Sequence, residues 1–244
     1  MLGGVLLGLR EPHLLFDVIV HAATLAATVV VYRGSLGEMA RDVVAAPRAL
    51  HQGAGPTRLA QRPGLRLAAL IILGSLPTAL IGVLFKAPLE ALFAAPRLAA
   101  GMLLVTAALL ATTALARPGK RGLAELRWWH ALIIGTVQGF AIIPGVSRSG
   151  STIACALLLG VERELAARYS FLLSLPAVLG AVTLKLAEGD LQGVAMAPLA
   201  VGFVAAALLG LLALFLLIPL VRRGRLHYFA GYLVVAGTAG LLWI

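Results

Sequence analysis

The sequence predicts an all-α, polytopic integral membrane protein, with six transmembrane spans and one re-entrant helical hairpin in a single membrane domain over residues 1–244. Three observations predict it. Of the 244 residues 61% are hydrophobic and 12% charged, with a mean hydropathy of +0.99, whereas soluble domains carry about 25% charged residues. The apolar runs are continuous and about twenty residues long, the length of a membrane-crossing helix, and do not alternate in the roughly ten-residue segments of a membrane β-barrel. One stretch between apolar segments, QGFAIIPGVSRSGSTI at 138–153, breaks that pattern with four hydroxyls, an arginine and three glycines.

Met1 to Leu9 is apolar but too short to span. It lacks a preceding basic residue and a small-residue cleavage site, and reads as the tail of something longer. A turn at Arg10-Glu11-Pro12 leads to the first span, Leu14 to Tyr32. Its 19 residues reach about 28 Å as a helix. Asp17 and His21 lie four apart there, on one helical face. A carboxylate in a span faces a cavity or partner, or else sits at the interface. Arg33 to Arg66 reads as a loop with six arginines, part of it an interfacial helix near 38–46. Leu67 to Phe85 spans, with Gly74 and Pro77 expected to kink it. A short loop with a brief helix near Glu90 precedes the span Leu98 to Ala116. The basic segment 117–127 and the Trp128-Trp129 pair mark an interface.

His130–Ile143 and Ile153–Val161 are each too short to cross alone. Pro144 and Gly145 separate them, which predicts a re-entrant hairpin over about 130–161. The charged run ERELAAR (162–168) returns to the surface. Spans follow at Tyr169–Leu186, Val194–Leu217 and Tyr228–Ile244, separated by an acidic loop at 188–190 and a cluster of Arg222, Arg223 and Arg225. If the hairpin enters and leaves on one side, the loops 33–66, 117–127, 162–169 and 219–227 share that side and hold fifteen of the twenty Lys and Arg. That is the positive-inside asymmetry, with the C-terminus outside. It also accounts for the formal charge of +10 without a nucleic-acid partner. The single cysteine, Cys155, excludes an intramolecular disulfide and a cysteine-rich metal site.

The 138–153 stretch suits a phosphate group. Gly145 and Gly150 allow successive backbone N–H groups to converge as an anion nest. A helix starting near Ser151 adds its positive end. Arg148 offers a planar fork for phosphate oxygens, and Ser147, Ser149 and Thr152 offer hydrogen bonds or a nucleophile. The competing reading is a small-residue packing face with a snorkelling arginine. A hydrolase also needs an acid, a base or metal-holding carboxylates, and within the spans only Asp17, with His21 one turn on, is convincing.

PGVSRSGSTI (144–153) resembles the signature of the undecaprenyl-diphosphate phosphatase, or bacitracin-resistance, family. GLREPHLLFDVIVHAATLAATVVVYR (8–33), GSLPTALIGVLFKAPLEALFAAPRL (74–98) and ARYSFLLSLPAVLGA (167–181) extend the similarity in order along nearly the whole chain. The resemblance implies a multi-pass enzyme of the bacterial inner (plasma) membrane. It would remove the terminal phosphate of a C55 isoprenyl diphosphate, recycling the lipid carrier for peptidoglycan and other surface polymers. It implies an inverted repeat, with 1–116 the remnant of the first repeat and 117–244 the second, and a site open to the outer face. By the same resemblance Arg148 clamps the diphosphate, Ser147, Ser149 and Thr152 line the site, and Gly145, Gly150, Ser151, Asp17 and His21 contribute to substrate binding. A divalent metal, Mg²⁺ or Ca²⁺, is implied, and a homodimer is admitted. The family's upstream glutamate-rich hairpin has no counterpart in this chain, and Gln138 and Ile142 stand where the retained hairpin would mirror those glutamates. About thirty residues are therefore expected upstream of Met1, and the metal ligands stay unknown. An isoprenyl-phosphate transporter and a truncated, inactive form of the phosphatase are the alternatives.

Overall fold

The computed structural model describes residues 14–53, 55, 58–59, 61–188 and 196–243. The Met1–Leu9 run, the turn at 10–12 and most of the acidic loop at 188–190 lie outside the described residues. The described chain forms helices α1 (Leu14–Val31), α2 (Arg33–His51), α3 (Pro63–Leu84), α4 (Lys86–Leu92), α5 (Pro96–Thr112), α6 (Trp128–Phe140), α7 (Arg148–Leu158), α8 (Arg163–Glu188), α9 (Met196–Arg222) and α10 (Tyr228–Trp243).

By length and composition, three of them can cross a membrane: α3 and the apolar parts of α8 and α9. The number rises to five if the pairs α1–α2, bent by 78°, and α4–α5, bent by 96°, each count as one span. The apolar α10, at 16 residues, is shorter. The protein is thus an all-helical, multi-pass membrane protein. α8 is its central post, 61% buried along its apolar window, whereas α9 is 6% buried there. The exposed Val204, Leu208, Leu209 and Leu212 of α9 match a lipid environment, where apolar surface carries no penalty.

Two sequence boundaries are corrected, those at 33–66 and at 162–168. Most of the expected loop at 33–66 is helix, because α2 continues for 19 residues after the bend and packs on α3. Asp42 accepts the Gly64 N–H at 2.9 Å, and a Cβ on Gly64 would fall 2.6 Å from the Glu38 carbonyl oxygen. Gly64 therefore sets how closely the two helices approach. α3 itself runs unbroken through Gly74 and Pro77. Gly74 serves packing: a Cβ there would lie 2.7 Å from the Tyr169 hydroxyl, and a Cβ on Gly135 of α6 would strike the Gly74 carbonyl oxygen. The facing glycines bring α3 and α6 into backbone contact. A buried relay locks this seam, with Thr78 Oγ1 donating to Gly135 O at 2.8 Å and Gln138 Nε2 donating to Thr78 Oγ1 and Leu173 O, both at 3.2 Å. The ERELAAR run is likewise the first turns of α8, from Arg163 on, and not a separate surface segment.

A helical hairpin is present over this stretch. α6 and α7, with 13 and 11 residues, reach only about 20 and 16 Å against a hydrocarbon core of about 30 Å. Their outer ends meet: Arg121 and Val161 form a parallel bridge, with Arg121 N donating to Gly160 O at 3.1 Å and Glu162 N to Arg121 O at 3.0 Å. The two ends of the hairpin are therefore adjacent.

Candidate active site

The hairpin tip is built by turns. Ile142 N donates to Gly139 O, Ile143 N to Phe140 O and Val146 N to Ile143 O, all within 3.2 Å. Pro144 cannot donate to a continuing helix. Gly145 has φ +89°, a conformation costly for any residue with a Cβ. A Cβ there would also strike the Ala99 carbonyl oxygen and lie 2.9 Å from Met102 Cβ. The tip is therefore pressed against the backbone of α5. Thr106, buried midway along α5, pins it: Ser147 N donates to Thr106 Oγ1 at 3.1 Å, and Thr106 Oγ1 shares its proton between Met102 O at 3.0 Å and Gly145 O at 3.1 Å. Sequence reasoning missed Thr106. Its only signal was a hydroxyl in the middle of an apolar run.

Ser147 caps α7, its Oγ accepting the Gly150 N–H at 3.2 Å. Gly150 sits inside the first turn without a left-handed φ, and a Cβ on it would lie 2.8 Å from Ser147 Oγ. Its N–H is committed to the cap, so among the two nest glycines only Gly145 adopts the unusual backbone. Thr152 is fully buried and donates back to Arg148 O at 2.9 Å. Ser151 is buried, with a hydroxyl that has no partner among the described residues.

Arg148 and Ser149 remain, and the structure brings them together. Both line a cavity of about 190 Å³, joined by Thr24 and Thr28 of α1 and Ser174 of α8. Phe171, Leu214 and Leu217 are among its apolar walls. The hydroxyl protons of Thr24, Thr28 and Ser174 rest on carbonyls of their own helices. Rotation about the Cβ–Oγ bond frees each to donate to an oxyanion. Among the described residues Arg148 has no carboxylate partner. The ion pairs Arg62–Asp42 and Arg222–Glu164 lie elsewhere. A half-buried guanidinium at a helix N-terminus, unpaired and walled by apolar side chains, holds strong positive potential for an incoming anion.

The other sequence candidates fall outside this cavity or outside the described part. His21 is exposed, on the α1 face that carries Thr24 and Thr28, three and seven residues on. The backbone of Asp17 lies in α1, but its side chain is outside the described residues. Gln138, set opposite an expected glutamate, is buried and spends its amide on the α3–α8 seam. No group of three or more His, Cys, Asp or Glu side chains converges among the described residues, so that donor set does not fit a divalent metal by itself. The chemistry available is recognition of a phosphate by Arg148 and hydroxyls, beside a polar atom, Ser149 Oγ, that has no protein partner among the described residues.

The sequence matches the family described as "Bacitracin resistance protein BacA" over residues 1–239. Undecaprenyl-diphosphatase of Desulfatibacillum aliphaticivorans is 43% identical over 97% of this chain and 87% of its own length. The protein of that name from Salinibacter ruber is 40% identical over 100% and 90%, and the one from Korarchaeum cryptofilum 38% over 92% and 82%. With similarity of that extent running through both arms of the hairpin and its Arg148 tip, the chain belongs to the BacA undecaprenyl-diphosphatase family.

Proposed function

We propose that this chain hydrolyses undecaprenyl diphosphate at the tip of its hairpin, releasing the terminal phosphate. The observation that carries this reading is the pairing of Arg148, without a carboxylate partner among the described residues, with Ser149 in a cavity whose other walls are three hydroxyl side chains and apolar groups. An amphiphile with a phosphate head and an isoprenyl tail matches both halves of that lining. Arg148 binds the phosphate through its fork and stabilises charge that grows as the phosphoanhydride opens. The hydroxyls of Thr24, Thr28 and Ser174 orient the group. The attacking oxygen is that of Ser149 or of a water; both sit within this reading.

The topology belongs to the same proposal. Six spans, α1, α3, α5, α8, α9 and α10, surround the re-entrant α6–α7 pair, as the second half of an inverted repeat. The basic hairpin base faces the cytoplasm and the Arg148 cavity opens toward the outer side. Among the described residues no set of donors converges to hold Mg²⁺ or Ca²⁺. The test is phosphate release from undecaprenyl diphosphate by the purified chain in detergent, with and without EDTA. Release supports the reading. Saturable binding of the lipid without release points instead to a transporter or an inactive member.

A further inference from the structure

A second cleft, of about 540 Å³, opens at the base of the hairpin, lined by Arg121, Ala124, Glu125, Arg127, Trp129 and His130. It lies at the far end of α6, about 20 Å from the tip. The hydrogen bonding of His130 makes it informative. Arg127 N–H donates to His130 Nδ1 at 2.9 Å, so Nδ1 carries a lone pair and the neutral ring bears its proton on Nε2. His130 is 1% exposed, and its Nε2 has no partner among the described residues. A buried N–H without an acceptor is costly. Trp129 stacks on the ring with centroids 3.5 Å apart, which fixes its plane.

The charges around this donor favour an acceptor that is an anion. The fields of both Arg121 and Arg127 bear on His130. Arg121 spends one donor on Leu159 O and keeps the rest. Arg66 clamps the turn behind the cleft, donating to Leu123 O, Ala124 O and Leu126 O within 3.0 Å, and adds a third positive charge. Glu125 is the one carboxylate on the lining and forms no ion pair with either arginine among the described residues; it and Glu162 lie beside Gly122. The N-terminus of α6 points the same way. We infer that the hairpin base is a second anion site, taking a phosphate-type group between Arg121, Arg127 and the Nε2–H of His130. The shape accepts a lipid phosphate headgroup or free phosphate, and the half-buried Trp129 serves as a reporter for either.

The test uses the full chain carrying Trp128→Phe and Trp243→Phe, so that Trp129 is the sole tryptophan of three. In nanodiscs of neutral phosphatidylcholine, inorganic phosphate should change Trp129 emission saturably, and sodium chloride at equal ionic strength should not. Arg127→Gln should weaken the apparent affinity at least about tenfold, with Arg127→Lys restoring part of it. Arg148→Ala should leave the response in place, which separates this site from the tip. A response already saturated in nanodiscs containing phosphatidic acid assigns the site to lipid headgroups; a response to soluble phosphate alone assigns it to free phosphate. No saturable change in either lipid, an equal response to chloride, or unchanged affinity in Arg127→Gln would overturn the site.

Discussion

The tip and the base of one hairpin place arginines at helix N-termini in opposite surroundings. At the tip the backbone is used up internally, with Ser147 N on Thr106, Gly150 N on Ser147, and Gly145 O accepting from Thr106. What remains is Arg148 and Ser149, in a small cavity with mostly apolar walls. At the base the backbone is used up by the Arg121–Val161 bridge, and the arginines face a wider and more polar cleft. Coulomb interactions beside apolar walls are less screened than beside polar ones. The same chemical groups therefore suit bond breaking at the tip and plain binding at the base.

The two positive-φ glycines of the hairpin give the largest test of this contrast. Gly145→Ala combines a strained φ with a collision against the Ala99 backbone, which cannot yield. We expect a loss of about 3 kcal/mol or more and turnover near background. Gly160→Ala, at φ +77°, meets only the Arg121 guanidinium at 3.7 Å. It should cost about 1 kcal/mol, the strain alone, and leave a folded enzyme. Thermal unfolding in detergent alongside phosphate release measures both, and equal losses would erase the distinction between a braced tip and a tolerant base.

Thr106→Val comes next. It removes the pin on Gly145 and Ser147, and should cost about 1–2 kcal/mol with a larger proportional fall in turnover than in folded yield. The smallest effects divide the serines. Ser147→Ala loses a helix cap and about 1 kcal/mol of stability. Ser149→Ala should change stability by less than about 0.5 kcal/mol while lowering kcat. If Ser147→Ala lowers kcat more than Ser149→Ala at equal stability, the assignment of the cavity-facing hydroxyl is wrong.

Much of this was legible in the residues. The hairpin followed from two apolar arms too short to span and from Pro144-Gly145 between them. Arg148 stood out because a charge so far from either end of an apolar stretch needs a reason. The rest depends on contacts between distant segments. Gly74 reads as a kink until Gly135 is seen against it, and Thr106 as an ordinary hydroxyl until the tip rests on it. Thr24, Thr28 and Ser174 enter the cavity only because α1 and α8 pack side by side. The loop reading of 33–66 gave weight to its arginines, Pro and Gly, whereas α2 is held as a helix by packing on α3 and by Leu36 and Met39 against the core.

The central claim is that Arg148, unpaired among the described residues, provides most of the electrostatic work at the tip. The most direct measurement is phosphate release from undecaprenyl diphosphate by wild type, Arg148→Ala and the exposed-surface control Arg48→Gln, purified and assayed side by side. Arg148→Ala should lose about 10²–10³-fold in turnover while inserting and unfolding like wild type, with Arg48→Gln within about twofold. Arg148→Ala turning over within about twofold of wild type would contradict the account.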